Sequence, residues 1–171
     1  ALMLVGAIAL MPRLSSTVFR YLLARWSTST AHRLDSSPVL ALTLARLKGE
    51  ASLATLPPEE DVVLFACDSV LDLDGVAVGK PGTDAAVRER WRTLRNRDAF
   101  LTTGHFVVVR REGVTRTAAA QATTRVRFAN VSDEEIEAYI ATGEPHQVAG
   151  GFTIDGYGAA FITGLGGDPH N

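Results

Sequence analysis

The sequence predicts an α/β fold with a mixed sheet and flanking helices. Segments with apolar residues at helical spacing alternate along the chain with short apolar runs that are typical of strands. The composition, 46% hydrophobic and 21% charged over 171 residues, is that of a globular domain with a sizeable core. No internal repeat and no linker-like composition divides the chain. We therefore expect a single domain over residues 1–171.

Residues 1–11 are almost wholly apolar. The run is shorter than the roughly 20 residues that a membrane-spanning helix needs, and no positive charge precedes it as in a signal peptide. It therefore predicts a buried strand rather than a membrane anchor. From Pro12 onward, apolar residues recur at helical spacing, which predicts an amphipathic helix as far as Trp26.

A second helix is predicted to begin at Ser36 or Ser37, with Pro38 in its first turn, and to end before Pro57. Helical spacing assigns its larger apolar side chains to one buried face and places Lys48 near the edge of that face. The residues of this predicted face are Leu40, Leu44, Leu47 and Ala51.

Residues 61–70 predict a strand that is covered on both faces, because a continuous apolar run fills most of the segment. Asp68 stands near the C-terminal end of this predicted strand. The chain is then expected to form a short hairpin arm that turns at Asp74 and Gly75. Lys80 follows in a Gly-Lys-Pro turn.

The next helix is predicted to start at Thr83 or Asp84 as its cap and to continue through Arg97. Its outer face is heavily basic. The arginines of this segment are Arg88, Arg90, Arg92, Arg95 and Arg97. Because no aromatic residues are interleaved to stack on bases, this face predicts a solvated surface rather than a nucleic-acid interface.

Four further strands are predicted, at residues 100–111, 114–128, 151–154 and 160–162. A turn at Glu112 and Gly113 joins the first two of them. Ser132 and Glu135 have the spacing of a capping box, which predicts the start of a last helix that reaches Thr142.

Asp68 is the most informative residue for function, because a carboxylate on a buried strand requires a cation, a hydrogen-bond donor or a metal. Lys80 lies in a turn that can aim its ammonium back toward Asp68. A lysine and a carboxylate that face one pocket suit an anionic substrate, with the lysine on phosphoryl oxygens and the carboxylate orienting water or a divalent cation. The same spacing fits a purely structural pair, and the residues alone leave both interpretations open.

Arg13 and Lys48 are further candidates for anion binding. Arg13 would lie at the start of the first helix, where backbone amides and the helix dipole attract anions. Both residues also fit ordinary solvated positions. The four histidines lack metal-ligand spacing and Cys67 has no CxxC partner, which argues against a zinc site. Ser69 lacks the G-x-S-x-G elbow of serine hydrolases.

The charge balance also limits the function classes. Nineteen acidic and seventeen basic side chains give a net charge of -2. This balance argues against sequence-independent binding of a nucleic-acid polymer, although it is compatible with a local anion pocket. A single cysteine cannot form an internal disulfide, which fits either a reducing cytoplasm or a protein that needs no disulfide.

Five stretches of the sequence resemble a known family. Each stretch alone is weak evidence, but the five together, in this order, are specific. They are LALTLARLK at 40–48, CDSVLDLDGVAVGKP at 67–81, TTGH at 102–105, TTRVRF at 123–128 and EEIEAYIATGEPHQVAGGFTIDGYGAAFITGLGGD at 134–168. On these stretches the sequence resembles the Maf family of nucleoside triphosphate pyrophosphatases. The resemblance implies a two-lobed α/β architecture, like that of inosine triphosphatase, in which a curved sheet forms a central cleft. It also implies a cytoplasmic enzyme, possible pairing as a homodimer, and cleavage of a nucleoside triphosphate to the monophosphate and pyrophosphate with Mg²⁺ or Mn²⁺.

The resemblance implies roles for single residues. Asp68 matches the family's catalytic acidic residue, which activates water and helps to hold the metal, and Lys48 and Lys80 match its phosphate-binding lysines. Ser69 and Asp155 match positions that tune the choice of base. Many members carry glutamine where this chain has Asp155, whereas a carboxylate accepts two hydrogen bonds from the ring amide and exocyclic amine of guanine. A guanine-type base is therefore favoured.

Departures from the family pattern leave three accounts open. Of the family's S-x-S-P-R-R motif only Pro12 and Arg13 are retained, and the strand turn and closing helix of the family have no counterpart before Asn171. The first account is an active pyrophosphatase with an altered phosphate loop. The second is a non-catalytic nucleotide-binding relative, and the third is a truncated and divergent copy of the family. The first account is the leading hypothesis.

Overall fold

The computed structural model describes residues 37–170. Its helices and strands are α1 (Ser37–Leu53), β1 (Val62–Leu73), β2 (Val76–Val78), α2 (Asp84–Leu94), β3 (Asp98–Arg111), β4 (Val114–Phe128), α3 (Asp133–Ala141) and β5 (Ile162–Gly166). The strand and helix predicted for residues 1–26, and with them Arg13, lie outside the described residues.

The five strands form one open sheet in the order β2-β1-β3-β4-β5, which confirms the predicted α/β class. The strands run antiparallel, whereas the sequence predicts a sheet of mixed strand directions. Two tight turns contribute to this arrangement, because a two-residue turn joins only antiparallel strands. One is at Asp74 and Gly75, with φ of 55° and 81°, and the other is at Glu112 and Gly113, with φ of 50° and 75°. Both turns are where the sequence predicts them.

The chain divides into two compact units. Of the described residues, the first unit comprises residues 37–68 together with Gly104–Gln121, and the second comprises Ser69–Thr103 together with residues 122–170. Strands β1, β3 and β4 each supply residues to both units. Each unit has its own cluster of buried side chains.

In the first unit, helix α1 packs through small residues. Ala41, Ala45 and Gly49 are its buried positions after the first residue. A Cβ atom added to Gly49 would collide with the ring of Phe106, and one added to Gly104 would lie 2.5 Å from the backbone carbonyl carbon of Ala41. Helix α1 therefore lies so close to β3 that both surfaces require residues with little or no side chain.

This close approach corrects the buried face predicted for α1. Its larger side chains were expected to face the core, but Leu40, Leu44 and Ala51 are only half-buried and Leu47 is exposed. Spacing alone favours the largest apolar residues, whereas the contact between helix and strand selects the small ones.

Strand β1 is covered less than its sequence predicts. Val63 and Phe65 are 61% and 65% exposed, while Ala66 is buried and Leu64 packs on the same core cluster. The prediction of a strand covered on both faces is therefore wrong, because only the face that bears Leu64 and Ala66 joins the core of the first unit. The strand also continues to Leu73, so Asp68 lies in its middle and not at its end.

Trp91 lies at the centre of the larger core, in the second unit. Its ring meets Phe128, Tyr139 and Phe161 edge to face, with centroid separations of 5.6, 5.4 and 5.4 Å. The indole N–H donates to the carbonyl oxygen of Gly151 over 2.9 Å. Helix α2 is thereby fixed against α3 and against the loop that follows α3.

The helix caps of the second unit are confirmed. Thr83 caps α2 by accepting from the amide of Ala86 over 3.3 Å. At the start of α3, Ser132 accepts from the amide of Glu135 over 3.2 Å, and Glu135 accepts in return from the amide of Ser132 over 2.8 Å. Both reciprocal bonds of the predicted capping box are therefore present.

The basic face of α2 is only in part the solvated surface that the sequence predicts. Arg88 pairs with Glu137 of α3, and Arg92 and Arg95 both pair with Asp133, at 2.6 and 2.8 Å. These side chains remain partly exposed, but they join α2 to α3. Glu137 and Asp133 are one helical turn apart, so they present their carboxylates to α2 together.

The short strands predicted at residues 151–154 and 160–162 are not formed as expected. Short 3₁₀ segments occupy Ala149–Gly151 and Tyr157–Phe161, and β5 begins only at Ile162. Gly150 and Gly151 have φ of 69° and 80°, which lie outside the range of a strand. This glycine pair turns the chain sharply before Phe152, which is buried.

Candidate active site

Lys48 and Asp68 form an ion pair in the first unit. The Lys48 Nζ atom lies 2.8 Å from Asp68 Oδ2, with Lys48 near the C-terminal end of α1 and Asp68 in the middle of β1. The Asp68 side chain is 21% exposed and that of Lys48 is 49% exposed. An ammonium has three donors and one contact to Asp68 engages one of them. The pair therefore combines a largely shielded carboxylate with a cation that is still able to bind an oxyanion.

Cys67 lies next to Asp68 in the chain and is partly buried. Its Sγ is 3.3 Å from Nδ1 of His105. Burial raises the pKa of the Cys67 thiol, the nearby charge of Lys48 opposes that rise, and the charge of Asp68 adds to it. Because a thiol must ionise to attack, a raised pKa disfavours Cys67 as a nucleophile, and the role of Asp68 stays a prediction.

Ser69 begins the second unit, where its hydroxyl is held in place. The Ser69 Oγ atom lies 2.8 Å from Oγ1 of Thr103 on β3, and Thr103 is buried. This bond fixes the rotamer of Ser69. The structure therefore gives Ser69 the fixed geometry that a binding hydroxyl needs, whereas its role in choosing a base stays a prediction.

Lys80 is an exposed residue whose backbone neighbours are fixed. On one side, Arg90 donates to the carbonyl of Gly79 over 3.2 Å. On the other side, the amide of Gly82 donates to the carbonyl of His146 over 2.9 Å. The chain on both sides of Lys80 is thus anchored while its ammonium projects from the second unit. The predicted convergence of Lys80 with Asp68 stays a prediction.

His146 links two elements next to that segment. Its imidazole nitrogens lie 2.7 Å from an oxygen of Asp84, at the start of α2, and 3.0 Å from the carbonyl oxygen of Gly143. The hydrogen bond to Asp84, followed by the one to Gly143, raises the pKa of His146. The imidazole therefore ties the start of α2 to the loop after α3.

Asp155 is an exposed residue in the bend between two 3₁₀ segments. The chain on both sides of it is tied to one carboxylate, that of Glu144. Glu144 Oε1 accepts from the hydroxyl of Thr153 over 2.6 Å and from the amide of Gly158 over 3.0 Å. Its other oxygen, Oε2, accepts from the amide of Tyr157 over 2.9 Å.

A further donor to the same carboxylate comes from helix α3. The Tyr139 hydroxyl donates to Glu144 Oε1 over 2.7 Å. Burial alone would raise the pKa of Glu144, but the hydrogen bonds from Thr153, Tyr139 and the two amides outweigh burial and lower it to about 2. For Tyr139, burial and then the bond to Glu144 raise the pKa. Glu144 is therefore a permanent carboxylate at neutral pH.

Glu144 is not among the residues to which the sequence analysis assigns a role. A signal for it is present in the sequence, since an acidic residue between Gly143 and Pro145 follows directly after the predicted end of a helix. Turn residues on both sides fix the backbone of such an acid, which favours a structural use of its carboxylate. Its donors lie as far away as Gly158 in sequence, so no local pattern identifies them.

The metal expected at Asp68 has one candidate ligand there. Among residues 37–170, no group of three or more His, Cys, Asp or Glu side chains is placed to hold a metal ion. Mg²⁺ is commonly bound by one or two carboxylates together with waters and substrate phosphates. The shielded Asp68 carboxylate fits that mode of binding and does not fit an all-protein metal site.

The membrane question has a short answer for this part of the chain. Within residues 37–170, no helix has the combined length and hydropathy that a bilayer crossing requires.

Comparison with known proteins places these features in a family context. The family described as Maf-like protein matches residues 10–171. A protein of Saccharopolyspora erythraea named nucleoside triphosphate pyrophosphatase is 52% identical over 136 residues, which are 77% of this chain and 64% of that relative. Proteins with the same name are 47% identical over 137 residues in Salinispora tropica (79% of this chain, 60% of the relative) and 43% identical over 143 residues in Cutibacterium acnes (81% and 67%). The chain thus spans 60–67% of the length of these relatives.

Proposed function

The chain belongs to the Maf family, and from this membership we propose that it hydrolyses a nucleoside triphosphate to a nucleoside monophosphate and pyrophosphate. The observation that carries the proposal is the Lys48–Asp68 pair, with 2.8 Å between Nζ and Oδ2 and a carboxylate that is only 21% exposed. A shielded carboxylate beside an accessible ammonium suits the attack of water on a polyanion.

In the proposed reaction, the Asp68 carboxylate orients a water molecule and accepts one of its protons as the water oxygen bonds to the α-phosphorus. The bond from that phosphorus to the α–β bridging oxygen breaks, and the electron pair leaves with pyrophosphate. Lys48 and Lys80 bind phosphate oxygens and offset the charge that develops on them. We assign Arg13 to the same group of phosphate contacts.

Asp68 is also the residue that we propose as the ligand of a divalent cation, Mg²⁺ or Mn²⁺. A bound divalent cation supplies charge neutralisation for the leaving pyrophosphate. The single carboxylate is sufficient for this purpose because the substrate phosphates complete the coordination.

The base is proposed to contact Asp155 and Ser69. The exposed Asp155 carboxylate can accept two hydrogen bonds from adjacent N–H groups of a guanine-type base. The fixed hydroxyl of Ser69 adds one donor or acceptor. We also propose that the protein acts in the cytoplasm, where its substrate is found. Its proposed oligomeric state is a homodimer.

Pyrophosphate release tests the proposal directly. The full chain is assayed with ATP, GTP, CTP, UTP and dTTP, with Mg²⁺ and with excess chelator. We expect Mg²⁺-dependent release that falls at least about 100-fold in Asp68→Asn, because the amide cannot accept the proton. The matched control is Asp61→Asn, which alters an exposed carboxylate just before β1 that accepts from the amide of Glu112.

Two results would contradict the assignment. Equal turnover by the wild type and Asp68→Asn would remove Asp68 from the reaction. Saturable nucleotide binding in calorimetry without release of any product would show that the chain is a nucleotide-binding protein and not an enzyme.

A further inference from the structure

The segment that carries Asp155 has no regular secondary structure apart from a 3₁₀ turn, and one side chain holds it. Glu144 accepts hydrogen bonds from Thr153, two residues before Asp155, and from the amides of Tyr157 and Gly158, two and three residues after it. The bonds are 2.6, 2.9 and 3.0 Å long. Residues 153–158 are therefore closed into a loop around a single carboxylate.

The carboxylate is itself anchored to the core of the second unit. Its Oε1 accepts from the Tyr139 hydroxyl over 2.7 Å, and the Tyr139 ring packs edge to face on Trp91 and Phe161. Tyr139 is 2% exposed. The loop is thus connected to the buried aromatic cluster of the unit through one oxygen atom of Glu144.

The close approach of the loop to Glu144 and Tyr139 requires glycine at two positions. A Cβ atom added to Gly156 would collide with the Glu144 carboxylate, and one added to Gly158 would lie 2.6 Å from the Tyr139 hydroxyl oxygen. Two glycines on the C-terminal side of Asp155 therefore allow the backbone to close onto Glu144.

From this arrangement we infer that Glu144 is a positioning residue that sets the base selectivity of the proposed pyrophosphatase. The inference rests on the proposed function. Glu144 does not touch the substrate. It fixes the loop so that the Asp155 carboxylate meets two N–H groups of the base at once, and a bidentate contact tolerates little displacement.

The proposal separates binding of the base from the chemistry at phosphorus. If the loop is released, the contact to the preferred base is lost equally before and during the reaction. Such a loss raises KM and leaves kcat unchanged. A role for Glu144 in stability alone would instead lower the fraction of folded enzyme, and kcat would fall by the same factor for every nucleotide.

Glu144→Gln is the informative variant. Among the donors in residues 37–170, three point to Oε1 and the Tyr157 amide points to Oε2. Glutamine keeps one carbonyl oxygen for the three donors and places an amino group opposite the Tyr157 N–H. The substitution therefore releases the loop at Tyr157 while it keeps the acceptor for Tyr139, Thr153 and Gly158.

The experiment measures kcat and KM for ATP, GTP, CTP, UTP and dTTP with the full chain. In Glu144→Gln we expect KM for the preferred nucleotide to rise about tenfold, with kcat within about twofold of wild type and KM for the least preferred nucleotide unchanged. Tyr139→Phe removes one donor and keeps the ring contacts, so it should shift the KM ratio in the same direction by a smaller factor. Glu137→Gln, which removes an exposed carboxylate of α3 that pairs with Arg88, is the matched control and should leave the ratio unchanged.

The outcomes distinguish this inference from the proposed function. Base selectivity that stays at the wild-type value in folded Glu144→Gln, or in folded Tyr139→Phe if the first variant does not fold, overturns the positioning role and leaves the pyrophosphatase assignment intact. A uniform fall in kcat for all five nucleotides overturns it as well. A wild-type protein that hydrolyses none of them overturns both.

Discussion

Lys48 keeps an accessible ammonium beside a shielded carboxylate. A substitution of Lys48 should therefore affect function more than stability. Half-exposed ion pairs contribute only about 0–1 kcal/mol to folding, whereas a charge-assisted contact to substrate contributes about 1.5–3 kcal/mol. The two effects of one substitution should therefore differ in size.

Replacing Lys48 by methionine keeps an unbranched side chain of nearly the same length and removes the charge. We expect kcat/KM for the preferred nucleotide to fall about 10- to 100-fold, with little change in the urea midpoint of unfolding. Arg46→Met is the control, since Arg46 lies on the same helix in an exposed pair with Glu50. If both variants lose activity to the same extent, Lys48 has no specific contact with phosphate.

The Glu144 carboxylate makes a second prediction at the scale of a residue. Its pKa is about 2 in the folded protein, and that of glutamate in an unfolded chain is about 4.3. Between these values the unfolded state binds more protons, so the stability supplied by Glu144 is complete above about pH 5 and is lost as the pH falls toward 2.

Urea unfolding between about pH 6 and pH 3 measures this loss. The free energy of unfolding should fall with acidification less steeply in Glu144→Gln than in wild type, because glutamine does not titrate. Glu137→Gln serves as the comparison, because Glu137 is a carboxylate at an exposed site whose pKa is also lowered. The hydrogen bond from Arg88 lowers this pKa and outweighs the opposite effect of burial. Parallel pH profiles of the wild type and Glu144→Gln would exclude the hydrogen-bonded carboxylate as the cause.

At the scale of elements, the contact between α1 and β3 depends on glycine. A Cβ atom on Gly104 would lie 2.5 Å from backbone atoms of Ala41, and a helix backbone cannot yield as a flexible side chain does. Gly104→Ala should therefore lower the free energy of unfolding by about 1–3 kcal/mol, the usual effect of overpacking.

Gly164→Ala is the matched control for that substitution. Gly164 also lies in a strand, but the nearest atom to its added Cβ is Nη1 of Arg127 at 3.6 Å, an ordinary contact. Its effect should stay within about 0.5 kcal/mol. Chemical denaturation of both variants measures the difference, and equal stabilities would contradict the close packing of α1 on β3.

Local chemistry explains which elements the sequence predicts correctly. The Asp74-Gly75 turn and the Ser132–Glu135 capping box are formed as expected, because turn conformation and capping depend on a few neighbouring residues. The buried face of α1 and the burial of Phe65 depend on what packs against them, which spacing does not specify. No strand forms at residues 151–154 because Gly150 and Gly151 have positive φ, which the spacing of apolar residues does not predict.

In the candidate site, too, some features are predicted from the sequence and others depend on contacts between distant residues. Family resemblance points to Lys48 and Asp68, and the structure pairs them at 2.8 Å. The anchoring of the Asp155 loop by Glu144 depends on donors that are up to 14 residues away in sequence, so only the folded chain reveals it.

For the whole molecule, the charge balance sets how a polyanion can be bound. The net charge is -2, so no general attraction brings a triphosphate to the protein. Binding must then depend on a few local cations, and it should stabilise the whole folded chain, because a ligand that binds only the native state adds RT ln(1 + [L]/Kd) to its stability.

Thermal unfolding with a non-hydrolysable α,β-methylene nucleotide and Mg²⁺ measures this stabilisation without turnover. At about 100 times Kd the gain is about 2.7 kcal/mol, which corresponds to a rise in Tm of roughly 5–10 °C for a chain of this size. Lys48→Met should show a smaller rise at the same nucleotide concentration, since its Kd is larger, whereas Arg46→Met should match the wild type. A Tm that does not change with nucleotide in the wild type would show that the folded chain has no site for the proposed substrate, and a full shift in Lys48→Met would place that site away from the Lys48–Asp68 pair.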